Sequence, residues 1–68
     1  MTAEIFAARQ AALRSDNAWQ DELNRLFGRN AGDVRYTKAG RGEPGSTLSM
    51  LYSDFKTAQE RLRRLLDN

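Results

Sequence analysis

The sequence predicts an all-α protein, an antiparallel helical hairpin with a long glycine-rich connection. All five glycines and the only proline lie between Gly28 and Gly45, and both flanks are rich in helix-favouring Ala, Leu, Arg, Glu and Gln. The second flank also repeats apolar residues at alternating spacings of three and four. We therefore predict one domain over residues 1–68, with a helix over about 2–27, a connection over 28–45 and a helix over about 46–66.

The first predicted helix has an irregular apolar stripe. One apolar residue recurs every seven positions and two more fill the same face: Ile5, Ala12, Trp19, Leu26, Ala8 and Leu23. Thr2 is the candidate cap and Gly28 the candidate stop. The run from Arg14 to Asn17 favours caps and turns, so the helix either continues with a weak centre or breaks there and restarts at Ser15 or Asp16. We favour one continuous helix.

The second predicted helix has the clearer pattern, a heptad seam typical of a packing face. Ser46 or Thr47 is placed to cap it, after Pro44 and Gly45. If the chain doubles back, this seam faces the stripe of the first helix. The residues predicted to pack between the helices are Ile5, Trp19, Leu23, Leu26, Leu48, Leu51, Phe55, Leu62 and Leu65, with Ala58 also in the seam.

Several apolar residues fall beside this seam, including Phe27 and Leu66. A hairpin of 68 residues without cysteine has a thin core, so we expect self-association, most simply a homo-oligomer, or a protein partner to complete it. In the alternative, these residues wrap around the core of an ordinary monomer. The candidates for contact with a partner are Phe6, Leu13, Tyr52, Arg35, Tyr36, Lys38 and Arg41.

The segment "AGRGEPGST" contains a G-x-G-x-x-G pattern ahead of the second helix. A dinucleotide-binding loop of this kind follows a buried strand of a parallel sheet, and this chain is too short for that fold. The segment also resembles a phosphate-binding loop, but Ser46 stands where the essential lysine belongs. The glycines are better explained as backbone freedom in a connection, and we expect no nucleotide cofactor.

Composition argues against catalysis and against a membrane span. The chain has no histidine to activate Ser46, Ser49 or Ser53, and it has no thiolate or imidazole metal ligand. We therefore expect no enzymatic activity, metal, cofactor or small-molecule substrate. No segment approaches the ~20 apolar residues of a membrane helix, and the N-terminus has no secretory pattern. The expected location is the cytoplasm.

The connection also carries basic residues around an aromatic one. "RYTKAGR" places Arg35, Lys38 and Arg41 beside Tyr36, a composition able to contact phosphate groups or stack on a base. The simpler interpretation is a solvated loop in which Val34 and Tyr36 pack on the helix ends. The net charge of +2 comes from eleven basic and nine acidic residues, so any affinity for nucleic acid is expected to be weak and salt-sensitive.

Three segments together carry a resemblance in layout: "ARQAALRSDNAW", "DVRYTKAGRG" and "STLSMLYSDFKTAQERL". In size and order they are similar to the head-completion proteins of tailed phages and prophages, which join the capsid portal to the tail. Those proteins place a β-hairpin between the helices, whereas the glycine-rich connection here leaves at most a short extended piece near Val34 to Thr37. The resemblance implies a structural protein that multimerises in a ring, with a virion as its final location, and no single functional residue carries over.

The sequence therefore predicts a non-enzymatic protein-interaction or assembly module. The alternative is a small inhibitor or adaptor that binds one host protein through an exposed helix face. A third and weaker hypothesis is a nucleic-acid accessory that uses the basic connection. The first two differ in stoichiometry, since an assembly subunit forms a symmetric multimer and an inhibitor forms a small complex with an unrelated protein.

Overall fold

A computed structural model describes residues 2–67 of the chain. Two long helices, α1 (Ala3–Phe27) and α3 (Thr47–Asp67), pack against each other as a hairpin. The connection contains a 3-10 turn (Gly28–Asn30), a single-turn helix α2 (Ala31–Val34) and a second 3-10 turn (Lys38–Arg41). No strand occurs within residues 2–67. The predicted all-α helical hairpin is confirmed.

Helix α1 is continuous through the polar run at its centre. The Thr2 hydroxyl accepts a hydrogen bond from the Ile5 amide at 3.2 Å and caps the first turn. At the other end Gly28 has φ +57°, in the left-handed region that favours glycine, and its amide bonds back to the Asn24 carbonyl. The Asp16 carboxylate binds Arg35 of the connection, so it does not compete for the backbone of its own helix.

The core is small and lies at the connection end of the hairpin. Its buried residues are Trp19, Leu23, Ala31 and Leu48, with Phe27, Val34, Leu51, Tyr52 and Phe55 packed around them. The Trp19 ring stacks on Phe55 with centroids 5.1 Å apart, and Tyr52 tilts against it at 5.2 Å. Toward the other end, Ala8 is the one fully buried residue among residues 2–67, and Ile5, Leu62 and Leu65 are half-buried.

The prediction that Leu26 packs between the helices is wrong, because 47% of its surface is exposed. It came from extending a seven-residue repeat along α1. The direction of Leu26 on the helix is not the reason, since eighteen residues make five full turns and place it on the same side of α1 as the buried Ala8. Leu26 lies in the last turn of α1, where it lines a groove beside the start of α3 and stays partly in water.

The connection is folded into two 3-10 turns and a single-turn helix, an order that the sequence had left open. Gly42 and Gly45 adopt φ +77° and +85°, where glycine is favoured. Gly40 has no such angle; it is buried, and an added Cβ would lie 2.4 Å from the Val34 carbonyl oxygen. Val34 packs on the core as expected, but Tyr36 is 82% exposed and does not pack on a helix end.

Candidate functional site

Arg35 fastens the connection to α1. Its guanidinium donates one hydrogen bond to the Gln20 side-chain oxygen and another, of 2.7 Å, to an Asp16 carboxylate oxygen. The guanidinium carbon also lies 4.7 Å from the centroid of the Trp19 ring, a cation–π arrangement. Within residues 2–67, the Arg35 Nε is the one buried side-chain nitrogen or oxygen without a hydrogen-bond partner. A planar guanidinium bound on several sides holds the connection in one position.

Trp19 completes the attachment from the helix side. Its indole N–H donates a buried hydrogen bond of 2.9 Å to the Gly40 carbonyl, twenty-one residues away in the chain. Because Gly40 lacks a side chain, the backbone near it approaches Val34 and Arg35 closely. Trp19 therefore joins α1, α3 and the connection, since it also contacts Tyr52 and Phe55.

These contacts correct two of the predicted partner-contact residues. Arg35 was expected to face a partner, but it is bound to Asp16 and Gln20. Tyr52 was expected outside the packed face, but it packs on the core through Trp19. The three basic residues predicted to contact a partner therefore do not act as one set, because Lys38 and Arg41 are exposed and Arg35 is not.

Phe6 and Leu13 form an uncovered apolar strip on α1. They are 58% and 54% exposed. Residues seven apart lie within about 20° on a helix, so the line through Phe6 and Leu13 continues to Gln20 and Phe27. Gln20 binds Arg35 of the connection, and Phe27 packs on the core cluster that includes Ala31 of α2. The connection thus covers one half of this line and leaves the other half bare.

Helix α3 shows the same division. Gly42 of the connection lies against its first turn, where an added Cβ would come within 2.6 Å of the Ser49 nitrogen. Residues spaced by seven from Ser49 lie nearly in a line along α3; the next two on this line, Lys56 and Arg63, are exposed. Beside that line, a shallow groove runs along the last three turns of α3, with Leu62 and Leu66 among its lining residues.

The two uncovered lines meet at the open end of the hairpin, opposite the connection. Phe6 precedes Trp19 by thirteen residues and Leu66 follows Phe55 by eleven, so Phe6 and Leu66 lie at similar heights along the paired helices. The connection covers one end of both lines, so the two lines lie on the same side of the hairpin. We call this surface the open-end face; its residues are Phe6, Arg9, Leu13, Lys56, Gln59, Glu60, Leu62, Arg63, Leu66 and Asp67.

A second groove lies at the connection end. It is lined partly by Leu26, Phe27 and Pro44 and runs past the first turn of α3. Arg25 donates two hydrogen bonds, of 2.6 and 2.9 Å, to the Glu22 carboxylate on its edge. These bonds, with the adjacent positive charge, lower the pKa of Glu22 below its ordinary value. The pair is internally satisfied and offers no free charge to a ligand.

Residue chemistry and comparison with known proteins give no assignment beyond this geometry. Among residues 2–67, no group of three His, Cys, Asp or Glu side chains is arranged to hold a metal ion. No helix in the same part of the chain is long and apolar enough to cross a membrane. No protein-family model matches the chain, and no curated protein or solved structure shows significant similarity to it.

Sequence reasoning placed Phe6 and Leu13 among the partner contacts, and both lie on the open-end face. It missed the basic residues Arg9, Lys56 and Arg63, because their significance depends on which sides of α1 and α3 the connection leaves open. The heptad spacing of Arg9 from Asp16, and of Lys56 from Ser49, was visible in the sequence. Without the position of the connection, that spacing did not indicate which residues are left uncovered.

Proposed function

We propose that this protein is a non-enzymatic protein–protein interaction module whose binding surface is the open-end face. The observation that carries the proposal is the exposure of Phe6 and Leu13 on a line of α1 that the connection covers only at Gln20 and Phe27. On this side of the hairpin, the connection covers only one half of the surface. A partner that covers the other half completes the same layer.

The energetics support a partner on this surface. Burying a Phe or Leu side chain stabilises by roughly 1.5–3 kcal/mol relative to leaving it in water. Among residues 2–67 the hairpin fully buries five apolar residues, two of them alanines, so its core is thin. Covering Phe6 and Leu13 therefore adds a substantial fraction to the small stability expected of a domain of this size.

Two kinds of partner fit an interaction module. Copies of this chain assembled into a ring match the head-completion proteins that the sequence resembles in layout. A single unrelated protein, bound through the exposed flank of α1, matches a small inhibitor or adaptor. Light scattering on a size-exclusion column, over a range of protein concentrations, separates the two. Ring assembly gives a mass that is a fixed multiple of the chain, whereas an inhibitor or adaptor remains monomeric by itself.

The surface itself is tested with matched substitutions. A photo-crosslinking amino acid replaces Leu13 in one variant and Met50 in another, because Met50 is 62% exposed on α3 but points away from the open-end face. In the cells that make the protein, we expect a discrete crosslinked band from position 13 and none from position 50. Adding Phe6→Ser to the first variant should remove the band while circular dichroism keeps its helical signal. Equal crosslinking at both positions, or none at position 13, contradicts the proposal.

A further inference from the structure

We infer that the open-end face binds the open-end face of a second copy of this chain, so that two copies form an antiparallel, two-fold symmetric dimer. This inference rests on the proposed function and names the partner. Three features support it: the stepped shape of the hairpin, the register that this shape imposes, and the residues that the register brings together.

The shape of this side of the hairpin is a step. The connection adds a second layer over the end that contains Trp19, and the rest of the side is one layer of two helices. The uncovered part extends along α1 from its start to Asp16, about 20 Å at 1.5 Å per residue. The recess is therefore one layer deep and two helices wide. The open end of a second copy is itself one layer of two helices, whereas a single helix covers only half of that width.

The step determines how two copies align. When each open end lies in the recess of the other copy, the two connections lie at opposite ends of the dimer, and α1 runs antiparallel to α1 of the second copy. The two-fold axis then passes the middle of the uncovered part of α1, between Arg9 and Gln10. Residues at equal distances on either side of this point lie opposite each other across the dimer.

This register pairs the exposed apolar residues of α1. Phe6 and Leu13 each lie about 5 Å along the helix from the axis, on opposite sides of it. Phe6 of one copy therefore lies opposite Leu13 of the other, and the contact occurs twice. The two side chains, which are 58% and 54% exposed in a single chain, become covered in both copies.

The same register pairs opposite charges on α3. Because Trp19 stacks on Phe55, the axis passes α3 about ten residues beyond Phe55, near residues 64 and 65. Arg63 and Asp67 lie on either side of that point, so Arg63 of each copy comes to the height of Asp67 of the other. Within one chain the two side chains are 3.9 Å apart and more than 70% exposed, so little energy is lost when they exchange partners.

The charges of the groove on α3 favour a copy of the same helix over a partner rich in one charge. The groove is lined by two bases, Lys56 and Arg63, and by two acids, Glu60 and Asp67. They follow one another at spacings of four, three and four with alternating sign. Read backwards, the spacing is the same and the signs are reversed, so an antiparallel copy presents acids to bases. A uniformly charged partner meets like charges at two of the four positions.

The size of the contact and one unfavourable residue predict a weak dimer. An overlap about 20 Å long and two helices wide buries on the order of 1,000 Å² in total, near the lower end of specific interfaces. Arg9 lies beside the axis and faces Arg9 of the second copy, where like charges oppose association. Arg9→Gln should therefore lower the dissociation constant of the dimer, and an unchanged or higher constant contradicts this register.

The register is tested with disulfides, because the natural chain has no cysteine. Phe6→Cys and Leu13→Cys proteins are mixed and oxidised, with a mass tag on one of them to resolve mixed pairs. Two Leu13→Cys chains hold their cysteines about 10 Å apart along the helices, whereas the mixed pair brings them opposite each other. Since a disulfide needs Cα atoms within about 7 Å, we expect mixed dimers to form at least about fivefold faster than Leu13→Cys or Met50→Cys dimers. Equal rates for all pairs overturn the inference.

A charge exchange tests α3 without removing an apolar side chain. Arg63→Asp and Asp67→Arg each place like charges opposite each other in their own dimers, but a mixture of the two restores opposite charges at both contacts. By sedimentation equilibrium, we expect each variant alone to dimerise about fivefold more weakly, and the mixture to regain the natural affinity. Arg61→Asp, on an exposed residue outside the face, is the control and should leave the affinity unchanged. Variants that stay weak when mixed overturn the inference.

The remaining outcomes separate this inference from the function on which it rests. Light scattering should give a mass that rises with concentration from one chain, 7.7 kDa, to two chains and no further. A larger fixed multiple, or a monomer whose position 13 crosslinks to a different protein, overturns the dimer and leaves the interaction surface standing. A monomer at every concentration that gives no crosslink at position 13 overturns both proposals.

Discussion

At the scale of single residues, Gly40 and Arg35 determine how the connection meets α1. A glycine is required at position 40 because the backbone of Val34 and Arg35 lies too close to admit a side chain. An unusual backbone angle is not the reason, since the φ of Gly40 is not positive. Its carbonyl accepts the Trp19 indole hydrogen bond. Arg35 covers the same ring and neutralises Asp16. Neither role has a local sequence signal, because each depends on a residue about twenty positions away.

The first prediction concerns Gly40. Gly40→Ala should lower the free energy of unfolding by about 1–3 kcal/mol, because the new methyl group meets the Val34 and Arg35 backbone, which must shift to admit it. Gly32→Ala is the matched control, since no atom lies within 4 Å of its added Cβ and its position is helical. It should be neutral or stabilise by up to about 1 kcal/mol. Urea unfolding followed by circular dichroism measures both, and equal effects would show that the connection is not held as described.

The second prediction concerns the chemistry of Arg35. Arg35→Lys keeps the positive charge but loses the planar group that binds Asp16 and Gln20 while covering Trp19. We expect a loss of roughly 1–3 kcal/mol of stability, as for removing hydrogen bonds to a charged group. In Asp16→Asn protein the same substitution should cost less, because the ion pair is already gone. Additive effects in this double-mutant cycle would mean that the pair contributes no coupling.

At the scale of elements, the pattern of burial along α1 distinguishes the two helices. Helix α3 follows its predicted seam, with Leu48 buried and Leu51, Phe55, Leu62 and Leu65 half-buried. Helix α1 departs from the heptad line at Leu26, and its deepest residue is Leu23, with 0% exposure. The composition of the flanks and the confinement of glycine to one block were enough to predict both helices. The exposure of Leu26 was not predictable, because it depends on how far the start of α3 and the connection cover the last turn of α1.

A third prediction compares the buried Leu23 with the partly exposed Leu26. Leu23→Ala should cost about 2–5 kcal/mol, as expected for a leucine removed from a packed core. Leu26→Ala, one turn away on the same helix, should cost less than about 1 kcal/mol, because 47% of the side chain is already in water. Thermal and urea unfolding of the two variants give the comparison. A greater loss at Leu26 than at Leu23 would contradict the exposure of Leu26 at the end of α1.

At the scale of the whole molecule, stability is concentrated at the connection end. The aromatic cluster, the Arg35 contacts and all fully buried residues except Ala8 lie there. The open end has half-buried apolar residues and the exposed Phe6, Leu13 and Leu66. The sequence predicted the hairpin, and it singled out Phe6 and Leu13, which the structure leaves exposed. The unequal distribution of the core escaped prediction, because a regular heptad pattern implies equal packing along both helices.

A fourth prediction follows from this gradient. Native-state hydrogen exchange should show the slowest amides near Trp19, Leu23 and Leu51, and faster exchange in the first turns of α1 and the last turns of α3, because local opening begins where few apolar contacts are broken. Uniform protection along both helices would contradict the unequal core.

Trp19 is also an intrinsic fluorescent probe of this part of the structure. It is the only tryptophan, so all indole fluorescence comes from the point where α1, α3 and the connection meet. Helicity measured by circular dichroism comes mainly from α1 and α3, whereas indole emission also responds to the polar contacts made by the connection. A shift of emission to longer wavelength before helix melting would therefore record release of the connection as a separate step in unfolding.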